Sequence, residues 1–115
     1  MNVKIKRVYE EPKVEDGVRI LVDRLRPRGL SKERAKIDLW LKGVAPSTGL
    51  RLRFAHDPAN WDEFQTRYRE ELERNKEQLS HLKQEAAKNT VTLVYGARDQ
   101  QHNEAVVLQR LLTMR

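Results

Sequence analysis

Three stretches of the chain have the hydrophobic pattern of β-strands. Residues 3–9 alternate apolar and polar side chains, which is the period of a strand with one covered face. Residues 18–22 and 90–95 are short, rich in β-branched side chains and mostly apolar, as is typical of strands buried inside a sheet. Residues 37–42 fit a further strand or a helical turn, and the pattern leaves that choice open.

The segments between these strands have the pattern of helices. Asp57 and Pro58 are a strong helix start, since aspartate caps the first turn and proline fits the first helical position. Apolar side chains then recur every three or four residues to about residue 74, which predicts an amphipathic helix with its aromatic side chains in the core. The predicted helices begin near Ser31, Ser47, Asp57, Asn75 and His102.

The order of these elements predicts the fold class. A helix, a strand, a turn and a helix follow one another in the last third of the chain, which is typical of crossover connections in a parallel sheet. A chain of 115 residues is close to the usual size of one domain. We therefore predict a single three-layer-like α/β domain over residues 1–115, with a small, largely parallel sheet flanked by helices.

Two polar loops follow the two buried strands of this predicted sheet. Residues 23–29 follow the first strand, and residues 96–103 follow the second. Ligands of open α/β sheets bind at the carboxyl ends of the strands, and arginine makes two-pronged contacts with phosphate or carboxylate groups. We therefore expect an anion-binding site here, with these candidate ligand-binding residues: Arg24, Arg26, Arg28, Arg98 and Asn103.

Three further side chains in these loops are candidates for acid–base chemistry. Asp23 and Asp99 are candidate acids or bases if their pKa values are shifted, and His102 is a candidate assistant. The structural alternative is that Asp23 pairs with Arg98, or Asp99 with Arg24, and that the pair only ties the loops together. The sequence does not say whether a reaction follows binding.

Composition narrows the chemistry and the partners. The chain has no cysteine, which excludes disulfides, thiolate nucleophiles, and cysteine zinc or iron–sulfur sites. No cofactor is predicted, and a metal site that would use His56, Asp57, Asp99 and His102 is not expected. The net charge is +6, and residues 1–54 contain 14 Lys and Arg against 7 Asp and Glu. This balance favours anionic partners.

The apolar segments are short. None approaches the roughly 20 residues of a membrane span, and the first residues lack the apolar core of a secretory signal. We therefore expect a cytoplasmic protein without a membrane partner, and its oligomeric state is left open.

A series of short motifs runs in order through nearly the whole chain: Lys6-Arg7-Val8-Tyr9, Asp16-Gly17, Leu21-Val22-Asp23-Arg24-Leu25, Pro27-Arg28-Gly29-Leu30-Ser31-Lys32, Asp38-Leu39-Trp40-Leu41-Lys42, Ala45-Pro46-Ser47, His56-Asp57-Pro58, Ala97-Arg98-Asp99 and His102-Asn103. Together they resemble the YeaO-like branch of the bacterial domain-of-unknown-function 488 (DUF488) family. The resemblance implies a bacterial α/β domain with an undefined activity. The matching candidate site residues are Arg24, Arg28, Arg98, Asp99, His102 and Asn103.

The chain departs from the pattern of that family at three positions. The family usually has tryptophan where this chain has Arg26 and Arg53, and glycine where it has Ala55. If those tryptophans line the pocket of the family, the change to arginine implies either a more anionic ligand or the loss of the ancestral one.

Three functions are compatible with these observations. The first is binding of an anionic small molecule, such as a nucleotide or another phosphate-containing compound, at the carboxyl ends of the strands, with or without a reaction on a nucleotide or nucleic-acid substrate. The second is a non-catalytic nucleic-acid-binding module that uses the basic first half of the chain. The third is a structural or partner-binding domain without a ligand.

Overall fold

The computed structural model describes residues 2–113, and its centre is a four-stranded sheet. The strands are β1 (Val3–Arg7), β2 (Val18–Leu21), β3 (Leu39–Trp40) and β4 (Val91–Tyr95). Their order across the sheet is β1-β4-β2-β3, and each neighbouring pair is parallel. The three predicted strands and the parallel α/β class are confirmed. The segment that the sequence left open, residues 37–42, contains a strand of two residues.

Within residues 2–113, five α-helices surround the sheet: α1 (Lys32–Ala35), α2 (Thr48–Phe54), α3 (Trp61–Arg74), α4 (Lys76–Lys88) and α5 (Glu104–Thr113). The predicted caps are present, since the hydroxyls of Ser31 and Ser47 accept hydrogen bonds from backbone N–H groups three residues later. Asp57 caps a 3₁₀ turn, Pro58–Asn60, which leads directly into α3. Among these helices of residues 2–113, none has the length and apolar character needed to cross a bilayer.

The larger hydrophobic core lies between one face of the sheet and helices α2 to α5. Ile20 and Leu93 point into it from the two central strands, β2 and β4. Phe64, Tyr68 and Leu72 of α3 are buried there, which confirms the predicted direction of the aromatic stripe. This core fixes α2 and α5 beside the carboxyl edge of the sheet.

The opposite face of the sheet has a thinner cover. Successive residues of a strand point to opposite faces, so Leu21 and Val94 lie on this side. They pack with Val8, Ala35 and Ile37, from the loop after β1 and the region of α1, in a smaller core. The sheet is therefore flanked on both faces, but unequally.

A buried ion cluster lies on this thinner face. Asp16 is only 5% exposed. Its carboxylate contacts Arg19 Nη1 at 2.6 Å and Lys6 Nζ at 3.2 Å, and it accepts a hydrogen bond from Lys13 N at 3.0 Å. Burial raises the pKa of Asp16. The hydrogen bonds and positive charges around the carboxylate have the larger combined effect, so the pKa is lowered. We call Lys6, Asp16 and Arg19 the ion cluster.

The turn that holds this cluster requires a glycine. Gly17 has φ +66°, and a Cβ added there would lie 2.2 Å from the carbonyl oxygen of Thr90. Thr92 Oγ1 donates to the carbonyl of Asp16 at 2.7 Å, which fixes the turn to β4. The Asp16-Gly17 turn expected from the sequence is therefore a packed connection at the base of the sheet.

Candidate functional site

The loops after β2 and β4 open at the same edge of the sheet, as predicted, because these two strands are parallel neighbours. Asp23 joins the two loops, since its Oδ2 accepts a hydrogen bond from Gly96 N at 2.8 Å. The indole N–H of Trp40 donates to the backbone carbonyl of Asp23 at 2.7 Å. Asp23 is thus held from both neighbouring strands.

Two connected cavities lie beside this edge. The first, the apolar cavity, has a volume of about 430 Å³ and walls that include Leu25, Leu52, Phe54 and Phe64. The second, the arginine cavity, has a volume of about 230 Å³ and is lined by Asp23, Arg24, Arg26, Arg51, Gly96 and other residues of both loops. Both are lined by Leu25, Pro46, Arg51, His56 and Glu104. They are therefore two parts of one cleft.

Three arginines line the arginine cavity. Arg24 is partly buried, and its guanidinium donates to the carbonyls of Pro46 at 3.1 Å and Ala45 at 3.4 Å. Arg26 and Arg51 are exposed. Arg51 comes from α2 and was not among the predicted site residues. Its position depends on which side of α2 faces the sheet edge, and a seven-residue amphipathic segment alone does not reveal that.

Residues 44–47, which form one wall of the cleft, are firmly anchored. Ser47 N and Ser47 Oγ donate to the carboxylate of Glu71 at 2.8 Å and 2.6 Å. The hydroxyl of Tyr68 donates to the carbonyl of Val44. With the bonds from Arg24 these contacts fix residues 44–47, so Pro46 and the start of α2 form a rigid side of the cleft.

Two acidic side chains line the cleft together. Glu104, the first residue of α5, lines both cavities, and Asp23 lines the arginine cavity. Burial, and then the contact with Asp23, raise the pKa of Glu104 well above its usual range. We call Asp23 and Glu104 the acid pair. Glu104 was not predicted from the sequence, because nothing in the sequence places the first turn of α5 beside the end of β2.

Asp99 and His102 pair with each other at the turn into α5. Asp99 Oδ1 accepts hydrogen bonds from Gln101 N and His102 N, and Oδ2 contacts His102 Nδ1 at 2.8 Å. The bond from Gln101 N, followed by that from the imidazole, lowers the pKa of Asp99. Asp99 itself lines neither cavity, whereas His102 lines the apolar cavity.

Asn103 has a structural task in the same turn. Its Oδ1 accepts from Val106 N at 3.1 Å, which caps α5, and its Nδ2 donates to the carbonyl of Asp99 at 2.9 Å. Its side chain also lines the apolar cavity, although Asn103 is only 1% exposed.

The remaining two predicted arginines lie outside the cleft. Arg28 and Arg98 are exposed and line neither of the two cavities. The ion pairs considered as the structural alternative, Asp23 with Arg98 and Asp99 with Arg24, are not formed between these described residues. Instead, Asp23 contacts Gly96 and Glu104, and Asp99 contacts His102.

The rim of the apolar cavity has two residues with left-handed backbone conformation. Ala55 ends α2 with φ +51°, and His56 follows with φ +55°. Left-handed backbone costs little for glycine and more for other residues. This conformation accounts physically for the glycine that the resemblance places at position 55. Of the two arginines at positions where the family usually has tryptophan, Arg26 lines the arginine cavity, and Arg53 is exposed and forms an ion pair with Glu63 on α3.

These features define a small α/β protein with an amphipathic cleft at the carboxyl edge of a parallel sheet. A family model described as "Inactive DUF488-N3 subclade" matches residues 2–115. The chain is also 40% identical over 108 residues to the Escherichia coli (strain K12) protein YeaO, covering 94% of each chain. It belongs to the DUF488 family, as a YeaO-like member.

Similar proteins occur in mycobacteria. The chain is 40% identical over 113 residues to the uncharacterized protein Rv3073c of Mycobacterium tuberculosis (strain ATCC 25618 / H37Rv). This match covers 98% of this chain and 95% of that protein. The same identity and coverage hold for the uncharacterized protein Mb3100c of Mycobacterium bovis. No solved structure gives a significant match to the chain.

Proposed function

We propose that the protein binds an anionic small molecule, of the nucleotide or phosphate-containing class, in the cleft and does not transform it. The observation that carries the proposal is the continuity of the arginine cavity with the apolar cavity. A ligand with an anionic group at one end and an apolar ring at the other matches this arrangement, because binding pockets combine apolar walls with a few charged groups.

The charges of the arginine cavity favour an anion. Arg24, Arg26 and Arg51 contribute three positive charges. The acid pair contributes at most two negative charges, so the cavity keeps a positive balance. Because Arg24 is held by the carbonyls of residues 45 and 46, its guanidinium is already fixed before a ligand arrives, and less conformational entropy is lost on binding.

The apolar cavity suits a ring. Phe54 and Phe64 stack with their ring centroids 4.5 Å apart, and both line the cavity. His102 lies edge-on to Trp61 with ring centroids 5.2 Å apart, so its imidazole is held as part of the same aromatic group. Aromatic side chains of this kind stack on nucleobases at roughly 1–3 kcal/mol per base.

Two observations support binding without catalysis. The matching family model is described as an inactive subclade. Asp99, a candidate acid or base, has a lowered pKa and accepts three hydrogen bonds within its own turn. A carboxylate engaged in this way caps the turn and does not take up a proton readily near neutral pH.

Ligand binding is testable with Arg51→Ala, because Arg51 is exposed on a helix and alanine preserves the helix. Nucleoside monophosphates, inorganic phosphate and short RNA and DNA are added at low and high salt, and melting temperature and affinity are measured. We expect a nucleotide to raise the melting temperature of the wild type. Arg51→Ala should weaken its affinity about tenfold or more, since a charge-assisted hydrogen bond is lost.

The matched control is Arg69→Ala, which removes an exposed arginine of α3 that lines neither cavity. Its nucleotide affinity should equal that of the wild type. Equal affinity of Arg51→Ala and wild type would reject the cleft as the site. A response to RNA and DNA alone, and only at low salt, would instead favour the nucleic-acid-binding module.

A further inference from the structure

The acid pair lies at the junction of the two cavities. Glu104 lines both the apolar cavity and the arginine cavity, and Asp23 lines the arginine cavity. A ligand that fills the cleft from end to end therefore passes over Glu104 at its middle.

Carboxyl groups at this position are unfavourable for an anion but favourable for hydrogen-bond donors. Two carboxyl groups offer more acceptor positions than the hydrogen bond from Gly96 N occupies. A ligand without donors leaves these acceptors dehydrated and without partners, at a cost in affinity. The middle of a well-matched ligand therefore carries hydroxyl or amino groups.

We propose, on the basis of the proposed function, that the ligand is a ribonucleotide whose sugar hydroxyls donate hydrogen bonds to Glu104 and Asp23. The order of the groups in the cleft is apolar wall, acid pair, arginines. The order in a nucleoside 5′-phosphate is base, ribose, phosphate. An acidic side chain that accepts from ribose hydroxyls is a general solution to nucleotide recognition in α/β sheets.

The proposal makes Glu104 a specificity-determining residue. The four ribonucleoside 5′-monophosphates and their 2′,3′-dideoxy counterparts are titrated calorimetrically against the wild type, Glu104→Leu and Glu104→Gln. In the wild type, the best-bound ribonucleotide should exceed its dideoxy counterpart about tenfold or more in affinity, since hydrogen bonds to a carboxyl group are lost. In Glu104→Leu this ratio should fall about several-fold, because leucine has no acceptor and only Asp23 remains to accept from the ribose hydroxyls.

Several outcomes separate this inference from the proposed function. Glu104→Gln keeps an acceptor and nearly the same shape, so it should retain part of the preference for ribose. This result would show that the loss of preference in Glu104→Leu is not caused by misfolding. If ribo and dideoxy forms bind the wild type equally, and both weaken in Arg51→Ala, the sugar contact is rejected and the anion site stands. A ribose preference as large in Glu104→Leu as in the wild type also overturns it. If no nucleotide binds the wild type, both proposals fail.

Discussion

The ion cluster and the acid pair place carboxyl groups in opposite surroundings within one small sheet. Asp16 meets two cations and a backbone N–H, and its pKa is lowered. Glu104 meets another carboxyl group, and its pKa is raised. The first arrangement stabilises the fold without any ligand. The second leaves an electrostatic cost that a ligand with hydrogen-bond donors can relieve, and it lies in a cleft.

Left-handed backbone occurs near both regions. Near the ion cluster it falls on Gly17, where glycine is the favoured residue, and on Lys36, which caps the end of α1. At the rim of the cleft, it falls on Ala55 and His56, which are not glycine. Strain concentrated near a binding site is common in proteins, because the rest of the fold can hold it.

The largest expected effect comes from breaking the ion cluster. Asp16→Asn leaves Arg19 buried with one nitrogen, Nη2, already without a partner within residues 2–113. We expect a loss of about 3–5 kcal/mol in the free energy of unfolding at pH 7, as when one partner of a buried ion pair is removed. Urea denaturation measures this loss. Glu15→Gln, an exposed neighbour, should change stability by less than about 0.5 kcal/mol.

The difference between wild type and Asp16→Asn should depend on pH. The folded pKa of Asp16 lies below its unfolded value of 3.8, so its contribution is complete above pH 3.8 and is lost as the pH falls through the folded pKa. The two proteins should therefore converge in stability in acid. A difference that stays constant down to the acid transition would show that packing and not charge explains the effect.

A smaller effect of opposite sign is expected at the acid pair. The folded pKa of Glu104 is raised above its unfolded value of 4.5, so its favourable contribution exists below pH 4.5 and is lost as the pH rises through the folded pKa. Glu104→Gln should match the wild type near pH 4. It should be more stable by about 1 kcal/mol at alkaline pH, because the amide donates to Asp23 and carries no charge. Urea denaturation from pH 4 to 9 follows the change, and a destabilised variant throughout would contradict it.

The smallest effect is expected at the rim of the cleft. Ala55→Gly should stabilise the protein by about 0.5–1 kcal/mol, because the relief of the left-handed backbone exceeds the extra entropy of the unfolded chain. Thermal unfolding measures it. Ala87→Gly, an exposed alanine of α4, should lose about 0.5–1 kcal/mol. If both substitutions destabilise equally, the left-handed backbone at Ala55 carries no strain.

The sequence predicted the fold better than the site for a physical reason. Strands and caps such as Ser31 and Asp57 depend on nearby residues, so local patterns reveal them. The parallel edge that joins the loops after β2 and β4 followed from the element order. Arg51 and Glu104 enter the cleft from helices whose orientation depends on packing between distant residues. For the same reason, Arg19 was counted within a mostly apolar strand, and its burial beside Asp16 was not foreseen.

The strand order has a consequence for how the chain acquires its structure. The central strand β4 pairs with β1 and β2, and both of these strands lie more than 70 residues earlier in the sequence. Val91 of β4, for example, pairs with Val18 of β2. Pairing over such distances makes folding slow compared with local contacts. Synthesis of the chain must therefore reach β4 before the sheet can close. Until then β1 and β2 lack the strand that separates them, and their exposed edges need protection.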